Sequence, residues 1–332
     1  MDGLDKIILN SSDVSKIIYK LLTKKDLLLT YLIFKPDEYY RNEEEIMKRV
    51  LDILNKCKLS YEKYKKIKSL DLDIYSLNIN TLKELKLIIE DKDGYRLSKF
   101  GEDFRGFAYN IYKNISKIKL DLEETIKNTR IYDFLRIVNY IKKNENIDFG
   151  EKDIRNYLNK YKIPETYIIK VLRILEDSRL IYHVRDIYNV KMDKAKEYCE
   201  KINNKEIDEN YIKEKTKYEY FEIDLIKDIL KYIVDYGKST INAVEILDYE
   251  NKNMSIYYIE RHLDILELLG VLEKKIKNKD RPVLLKVSKK FYEFYENIIK
   301  PIASVLIDVK NIEKYKYYIS EDDIKEFIQD YY

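Results

Sequence analysis

The chain has 332 residues, 45% of them hydrophobic, and its 63 basic and 60 acidic side chains leave a formal net charge of +3. This length and composition provide for two or three domains with packed cores. The near balance of charge excludes a uniformly basic surface, so any nucleic-acid interface must be local. Apolar runs end well before the roughly 18 residues that a membrane span needs, and no signal-peptide pattern opens the sequence, so we expect a soluble cytoplasmic protein.

The first third of the chain is predicted to hold helices and one β-hairpin. Apolar helices over residues 14–22 and 27–34 end before Pro36, and an amphipathic helix follows over residues 43–54. A helix near Leu82 then leads to a strand at 87–89. The Asp-Gly pair in the next turn, at 91–94, favours a hairpin because glycine tolerates the positive φ that such turns need.

The middle and last thirds are predicted to repeat this plan. In the middle we expect, in order, helices over 131–141 and 152–159, a helix opened by Pro164, and strands 180–184 and 187–190 joined by Arg185-Asp186. The last third should hold helices over 221–236, 243–247 and 256–269, strands 271–276 and 283–287, and a helix over 289–299. Gly270 is predicted to cap the third of these helices.

Three Leu-x-x-Leu pairs mark the repeat, with a period of 90 and 91 residues. Each pair is followed by an apolar step, a short polar turn and a second strand. The pairs and their steps are Leu82/Leu85 with Ile88-Ile89, Leu172/Leu175 with Leu180-Ile181, and Leu263/Leu266 with Val271-Leu272. A repeat of this length fits an array of small domains. A helix feeding directly into a two-stranded hairpin, with two helices upstream, resembles the winged helix-turn-helix superfamily.

The exit from the first hairpin carries the same resemblance. Residues 95–101 read Tyr-Arg-Leu-Ser-Lys-Phe-Gly and are similar to the Tyr-x-Leu-Ser/Thr-x-x-Gly exit of many archaeal winged-helix proteins, where the last wing strand runs into a serine-capped helix. Residues 285–291 repeat the pattern without the glycine, whereas residues 189–192 depart from it. The resemblance implies a mainly α, α+β fold with small β-hairpins, built as tandem winged-helix modules joined by helices.

The predicted domain organisation has five segments. They are a winged-helix-like module 1 with extra helices (1–127), winged-helix module 2 (128–192), an exposed and charged helical linker (193–217), winged-helix module 3 (218–300) and a helical acidic C-terminal segment (301–332).

The resemblance also implies where DNA would be held, since the third helix of a winged helix enters the major groove and the hairpin tip touches the adjacent backbone. In module 3 the core stripe is Ile256, Ile259, Leu263 and Leu266, which leaves Tyr257, Tyr258 and Arg261 on the opposite face. The wing carries Lys274, Lys275, Lys277, Lys279 and Arg281, opposed only by Asp280. Such a tip could neutralise several phosphates.

Modules 2 and 1 offer weaker candidates. In module 2, Ile168, Leu172 and Leu175 take the core stripe, while the exposed face has Thr166, Tyr167, Lys170 and Arg173. The wing of module 1 carries Glu90, Asp91 and Asp93, which would repel phosphate, so this module is expected to contact protein. The lysine- and tyrosine-rich run from Lys58 to Lys68 is either a backbone-tracking patch or a solvated connection.

The sequence lacks the motifs of a catalytic or metal site. None of the seven glycines forms a GxxxxGK[ST] or GxGxxG loop for phosphates. Carboxylates alternate with lysines as on a solvated, ion-paired helix face. Cys57 and Cys199 fit reduced thiols, and His183 and His262, the only histidines, are interpreted as structural. We therefore expect no enzymatic activity, cofactor or metal.

Two hypotheses follow from these patterns. The first is a tandem winged-helix protein that binds double-stranded DNA, as a transcriptional regulator or a chromosome-associated factor, chiefly through module 3. The alternative is a winged-helix scaffold for protein interactions in a transcription, replication or chromosome-structure assembly, with module 1 or the acidic C-terminal segment as the docking surface. Either a single chain reading two half-sites or a homodimer is compatible with this organisation.

Overall fold

The computed structural model describes residues 10–57, 72–120, 126, 130–250, 254–275 and 283–331. Over these residues the chain is mainly helical with small antiparallel sheets, which confirms the predicted mainly α, α+β class. The chain divides into two compact units, unit 1 with residues 1–138 and 293–332 and unit 2 with residues 139–292. Within the described ranges, no helix is both long enough and apolar enough to cross a membrane.

Unit 1 opens with helices around one hairpin. The bounds are α1 Ser11–Thr23, α2 Lys25–Ile33, α3 Glu43–Asn55, α4 Leu72–Glu84, β1 Ile88–Asp91, β2 Gly94–Leu97 and α5 Lys99–Ile118. The side chains of Asn10, Asn42 and Ser98 accept hydrogen bonds from backbone N–H groups three residues further on, which defines where α1, α3 and α5 begin. The Ser98 bond, 2.8 Å long, confirms the predicted serine cap. From Leu27 to Ile33 every residue of α2 is buried, so this helix lies in the core of the unit.

The next elements repeat one order twice. The first set is α6 Ile131–Asn144, β3 Phe149–Gly150, α7 Glu151–Leu158, α8 Glu165–Asp177, β4 Ile181–Val184 and β5 Tyr188–Val190. After α9 Met192–Asn203 and α10 Glu209–Thr216, the second set is α11 Ile223–Asp235, β6 Thr240–Ile241, α12 Ala243–Glu250, α13 Ile256–Leu268, β7 Leu272–Lys274 and β8 Leu284–Val287. Most of these bounds lie within two or three residues of the predicted ones.

The strands of unit 2 are exchanged between the two repeats. The two sheets have the orders β3-β8-β4 and β6-β5-β7, with all pairs antiparallel. Each sheet therefore takes its central strand from the other repeat. The predicted local hairpins, 180–184 with 187–190 and 271–276 with 283–287, are wrong, because β4 pairs with β8 and β5 pairs with β7.

The turn that joins helix to strand is the same in all three repeats. Lys86, Arg179 and Gly270 have φ values of 60°, 58° and 76°. The next N–H donates to a carbonyl five residues earlier, from Leu87 to Leu82, from Leu180 to Leu175 and from Val271 to Leu266, at 2.8–3.0 Å. The predicted cap at Gly270 is confirmed. Leu82 thus corresponds to Leu175 rather than to Leu172, so the expected register of the first repeat was wrong by one helical turn.

The segment 193–217 differs from the exposed linker that its composition predicts. It forms α9 and α10, and Ala195, Ile202, Ile207 and Ile212 are buried in one apolar cluster with α11 and α13. The charged side chains of these helices face outwards with local ion pairs such as Lys201 with Glu197 at 2.6 Å. The segment is mostly polar in composition, but its helices have a narrow apolar face that packs into the core.

The C-terminal elements close the chain. They are α14 Lys289–Phe294, a π-helical turn Tyr295–Ile299, α15 Lys300–Ile307, a 3-10 helix Val309–Tyr315 and α16 Glu321–Tyr331. The carboxylate of Glu321 pairs with Arg49 at 3.1 Å and with Lys56 at 2.9 Å. Asp323 accepts hydrogen bonds from the hydroxyls of Tyr109 and Tyr317 at 3.3 and 3.0 Å. These two carboxylates of the predicted acidic segment therefore bind residues of unit 1 itself.

Candidate nucleic-acid interface

The exposed face of α13 contains the three residues predicted for module 3, but two of them are engaged with neighbours. Tyr257 is 66% exposed. The ring of Tyr258 packs edge-on against His262 with the ring centroids 4.6 Å apart. The guanidinium of Arg261 lies over the ring of Tyr218 at 5.2 Å from its centroid. The predicted core residues Ile259, Leu263 and Leu266 are fully buried, and Ile256 is half-buried against them.

Lys274 is surrounded by carboxylates. Its Nζ lies 2.9 Å from Asp264, 3.3 Å from Asp186 and 3.3 Å from Glu267, and its side chain is 20% exposed. The first cause acting on its pKa is burial, which lowers it, yet the bonds to Asp264 and Asp186 outweigh burial and raise the pKa. Lys274 is therefore a fully charged cation whose charge is already balanced within the protein.

The rest of the predicted basic wing is divided. Lys275 pairs with Asp148 at 3.1 Å, and the same carboxylate binds Lys286 on β8 at 3.2 Å. Lys277, Lys279 and Arg281 lie outside the described residues. The described part of this wing thus presents lysines bound to acidic partners.

An ion-pair network holds the crossover from β4 to β5 against α13. Glu260 is 3% exposed, and its carboxylate accepts from the backbone N–H of Arg185 at 2.8 Å and from the Arg185 Nε at 2.7 Å. The Tyr188 hydroxyl donates to Asp264 at 2.6 Å. Burial and this bond raise the pKa of Tyr188 well above its ordinary value. Sequence reasoning missed this network; the spacing of Glu260, Asp264 and Glu267 on one helix face was its available signal.

The second candidate surface, the exposed face of α8, has an arginine without a carboxylate partner among the described residues. Thr166 and Arg173 are exposed, and Tyr167 and Lys170 are half-exposed. The predicted stripe of Ile168, Leu172 and Leu175 is buried, as expected. At the helix start, Glu165 pairs with Arg155, which also pairs with Glu151. Among the described residues, no carboxylate lies within ion-pair distance of Arg173. This face therefore holds a cation whose charge is not already balanced.

Both histidines have structural contacts. The Nε2 of the buried His262 accepts from the backbone N–H of Glu222 at 2.9 Å, and its Nδ1 lies 2.8 Å from the carbonyl of Tyr258. Burial lowers the pKa of His262, so the ring is neutral with the proton on Nδ1. His183 Nδ1 lies 2.9 Å from Glu176. In the part of the chain that the structure describes, no group of three His, Cys, Asp or Glu side chains could hold a metal ion.

The acidic tip of the first hairpin is partly neutralised. Asp91 pairs with Arg96 at 3.0 Å, and Lys83 pairs with Glu90. The pKa of Asp91 is lowered, first by the N–H of Asp93 and then by Arg96. Cys57 and Cys199 are free thiols whose pKa is raised by burial, which favours the unreactive protonated form. The run from Lys58 to Lys68 lies outside the described residues.

No protein-family model, no curated protein and no solved structure matches this chain.

Proposed function

We propose that residues 131–287 form two strand-exchanged winged-helix modules that bind double-stranded DNA, chiefly through α8. Support comes from the order of elements, which is helix, short strand, helix, helix and strand in both repeats. Each sheet adds a third strand between the other two, in the orders β3-β8-β4 and β6-β5-β7. This is the order of elements that the winged-helix resemblance implies, with α8 and α13 as the third helices.

The observation that carries the choice of α8 is the charge state of the two third helices. On α13, Lys274 is paired with Asp264, Glu267 and Asp186. Arg185 is paired with Glu260, and Arg261 lies over the ring of Tyr218. On α8, Arg173 is exposed, and no carboxylate among the described residues lies within ion-pair distance of it. A phosphate requires a cation that is not already neutralised. We therefore assign the main DNA contact to module 2 rather than to module 3. Thr166 and Tyr167 lie in the first turn of the same helix, α8.

The test is binding of the full chain to random duplex DNA by fluorescence anisotropy over a series of salt concentrations. For the Arg173→Glu variant we expect affinity to fall about tenfold and the slope of log affinity against log salt to shrink by about 1. Lys196→Glu, at an exposed position of α9, is the matched charge control and should bind nearly as the unaltered chain does. Equal losses in the variant and the control would contradict the assignment to α8.

The scaffold hypothesis remains the second candidate because of one observation, the neutralisation of Lys274 and Lys275 by carboxylates. A module whose predicted phosphate contacts are internally balanced suits a docking role. This alternative predicts no salt-dependent DNA binding by the full chain even at low ionic strength. The same anisotropy series therefore decides between the two.

A further inference from the structure

Unit 1 contains a cavity of about 670 Å³ that the DNA-binding proposal does not use. Its walls come from α3, α5, the residues after α2, and the chain from Lys316 to Ile324. Cavities of roughly 300–1,000 Å³ are the usual size for small-molecule sites. The apolar part of the lining includes Pro36, Ile319 and Ile324. The charged part has the cations Lys35, Arg49, Arg105 and Lys316 and the carboxylates Glu102, Asp103 and Glu321.

A close backbone approach builds one wall of this cavity. A Cβ on Gly106 would overlap the backbone oxygen of Tyr317, so only glycine at this position allows the 316–320 segment to lie against α5. The hydroxyl of Tyr317 donates to Asp323 at 3.0 Å, and the Asp323 carboxylate also accepts from the N–H of Ser320 at 2.9 Å. These bonds hold the wall in place from the α16 side.

Arg105 is the buried cation of this cavity. It is 5% exposed, and its Nε and Nη2 both donate to the carbonyl of Leu32, the Nε at 3.1 Å. Other cationic groups of the lining have carboxylate partners, Arg49 with Glu321 at 3.1 Å and Lys316 with Asp103 at 2.9 Å. Among the described residues, Arg105 has none.

The charged groups near Arg105 do not neutralise it. Burial lowers the pKa of Arg105, and the ionisable groups that act on it are Tyr31, Tyr40 and Tyr318. Burial raises the pKa of Tyr40 to about 12, so this phenol is neutral at physiological pH. The guanidinium of Arg105 is therefore a buried charge with no counter-ion among the described residues, and burying a charge without a counter-ion is unfavourable. A bound anion in the adjoining cavity would remove that cost.

We propose that this cavity binds a small molecule with one carboxylate or phosphate group on an apolar body, and that the anionic group lies against the guanidinium of Arg105. Only one anionic group is expected, because the cations at Arg49 and Lys316 are already paired. Arginine suits this role because its planar donors match the oxygens of carboxylate and phosphate. The apolar body would lie against Pro36, Ile319 and Ile324.

Isothermal titration calorimetry of the full chain with benzoate, phenyl phosphate and phenol tests this proposal. We expect at least one of the two anions to bind with a Kd below about 1 mM and phenol to bind at least about tenfold more weakly. Benzoate above phenyl phosphate would identify a carboxylate site, and the reverse order a phosphate site. Anions that bind no better than phenol, or no binding up to 10 mM, would overturn the proposal.

Two variants connect binding to the cavity. Arg105→Lys keeps the charge but loses the two-pronged donor geometry, and should weaken anion binding about tenfold. Tyr318→Glu adds a negative charge at an exposed position of the lining (87% exposed), where folding is not at risk, and should also weaken it. Tyr220→Glu, at a tyrosine of unit 2 that is 73% exposed, is its control. If the Tyr318→Glu and Tyr220→Glu variants bind the anion with equal affinity, the cavity is not the site. This outcome can be measured even if Arg105→Lys does not fold.

Discussion

The first repeat closes its hairpin locally, whereas the two repeats of unit 2 exchange strands. Between β1 and β2 there are only two residues, and Gly94 follows them with a φ of 122°. The Asp91 carboxylate accepts from the N–H of Asp93 at 2.9 Å, which closes the turn. Between β4 and β5, Arg185, Asp186 and Ile187 all have negative φ. β4 and β5 lie in different sheets and do not pair with each other.

In the described residues, a tight two-residue turn accompanies local pairing and a three-residue crossover accompanies strand exchange. The helix-to-strand turn is the same in all three repeats, and the bond that follows it is also the same: Ser98 N–H donates to Leu87, Ser288 N–H to Leu180 and Lys191 N–H to Val271, each at 3.0 Å. Among the described residues, the turn between β1 and β2 differs from the crossover between β4 and β5. The β1–β2 turn ends at Gly94, where φ is positive, whereas residues 185–187 have no positive φ, and the strand beside β4 is β8 of the other repeat.

The largest effect that we expect concerns the exchange itself. Leu285→Ala on β8 removes a fully buried side chain and should cost about 2–5 kcal/mol of the free energy of unfolding. Because Leu285 is paired with Phe149 and His183, hydrogen exchange should quicken first in β4 and less in β7. Faster exchange in β7 with β4 unchanged is the pattern of a local hairpin and would contradict the observed pairing.

A second prediction concerns the local hairpin. Gly94→Ala introduces a Cβ that overlaps the backbone of Tyr40 and Arg41 at a φ of 122°, and neither obstacle is a side chain that can move aside. We expect a loss of about 3 kcal/mol, measured by urea denaturation. Gly237→Ala is the matched control, since its φ is also positive but nothing lies within 4 Å of the new Cβ, and about 1 kcal/mol is expected there. Equal losses would mean that the contact with Tyr40 adds nothing to backbone strain.

Much of the helical architecture is predictable from the sequence because it depends on local patterns. The stripe at Ile46 and Val50, the Ser98 cap and the positive φ at Gly270 each act over a few residues. The strand pairing is not predictable in this way. β4 has four residues and β5 has three, and the pattern of buried side chains in so short a strand does not identify its partner.

For the candidate site too, the sequence predicts which residues are charged but not which partners they have in the fold. The sequence places Lys274 in a basic cluster, which favours phosphate binding, but its partners Asp186 and Asp264 come from the crossover and from α13. Charge clustering along the chain does not reveal compensation by residues distant in sequence. Arg105 is the converse case, since it is one arginine in a charged helix by sequence and a buried cation with no carboxylate partner among the described residues.

The smallest effect that we expect is a pH dependence in unit 2. The pKa of His262 is lowered by burial, so between that value and the ordinary 6.5 the unfolded chain binds a proton that the folded chain does not. Stability from this group is therefore complete above pH 6.5 and is lost as the pH falls toward the folded-state pKa. Urea denaturation at pH 7.5 and at pH 5.5 should show a decrease that is smaller in His262→Gln, whose amide does not titrate. An unchanged decrease in that variant would assign the pH dependence to other groups. The hairpin of unit 1 provides the internal comparison, because no histidine occurs in that part of the sequence.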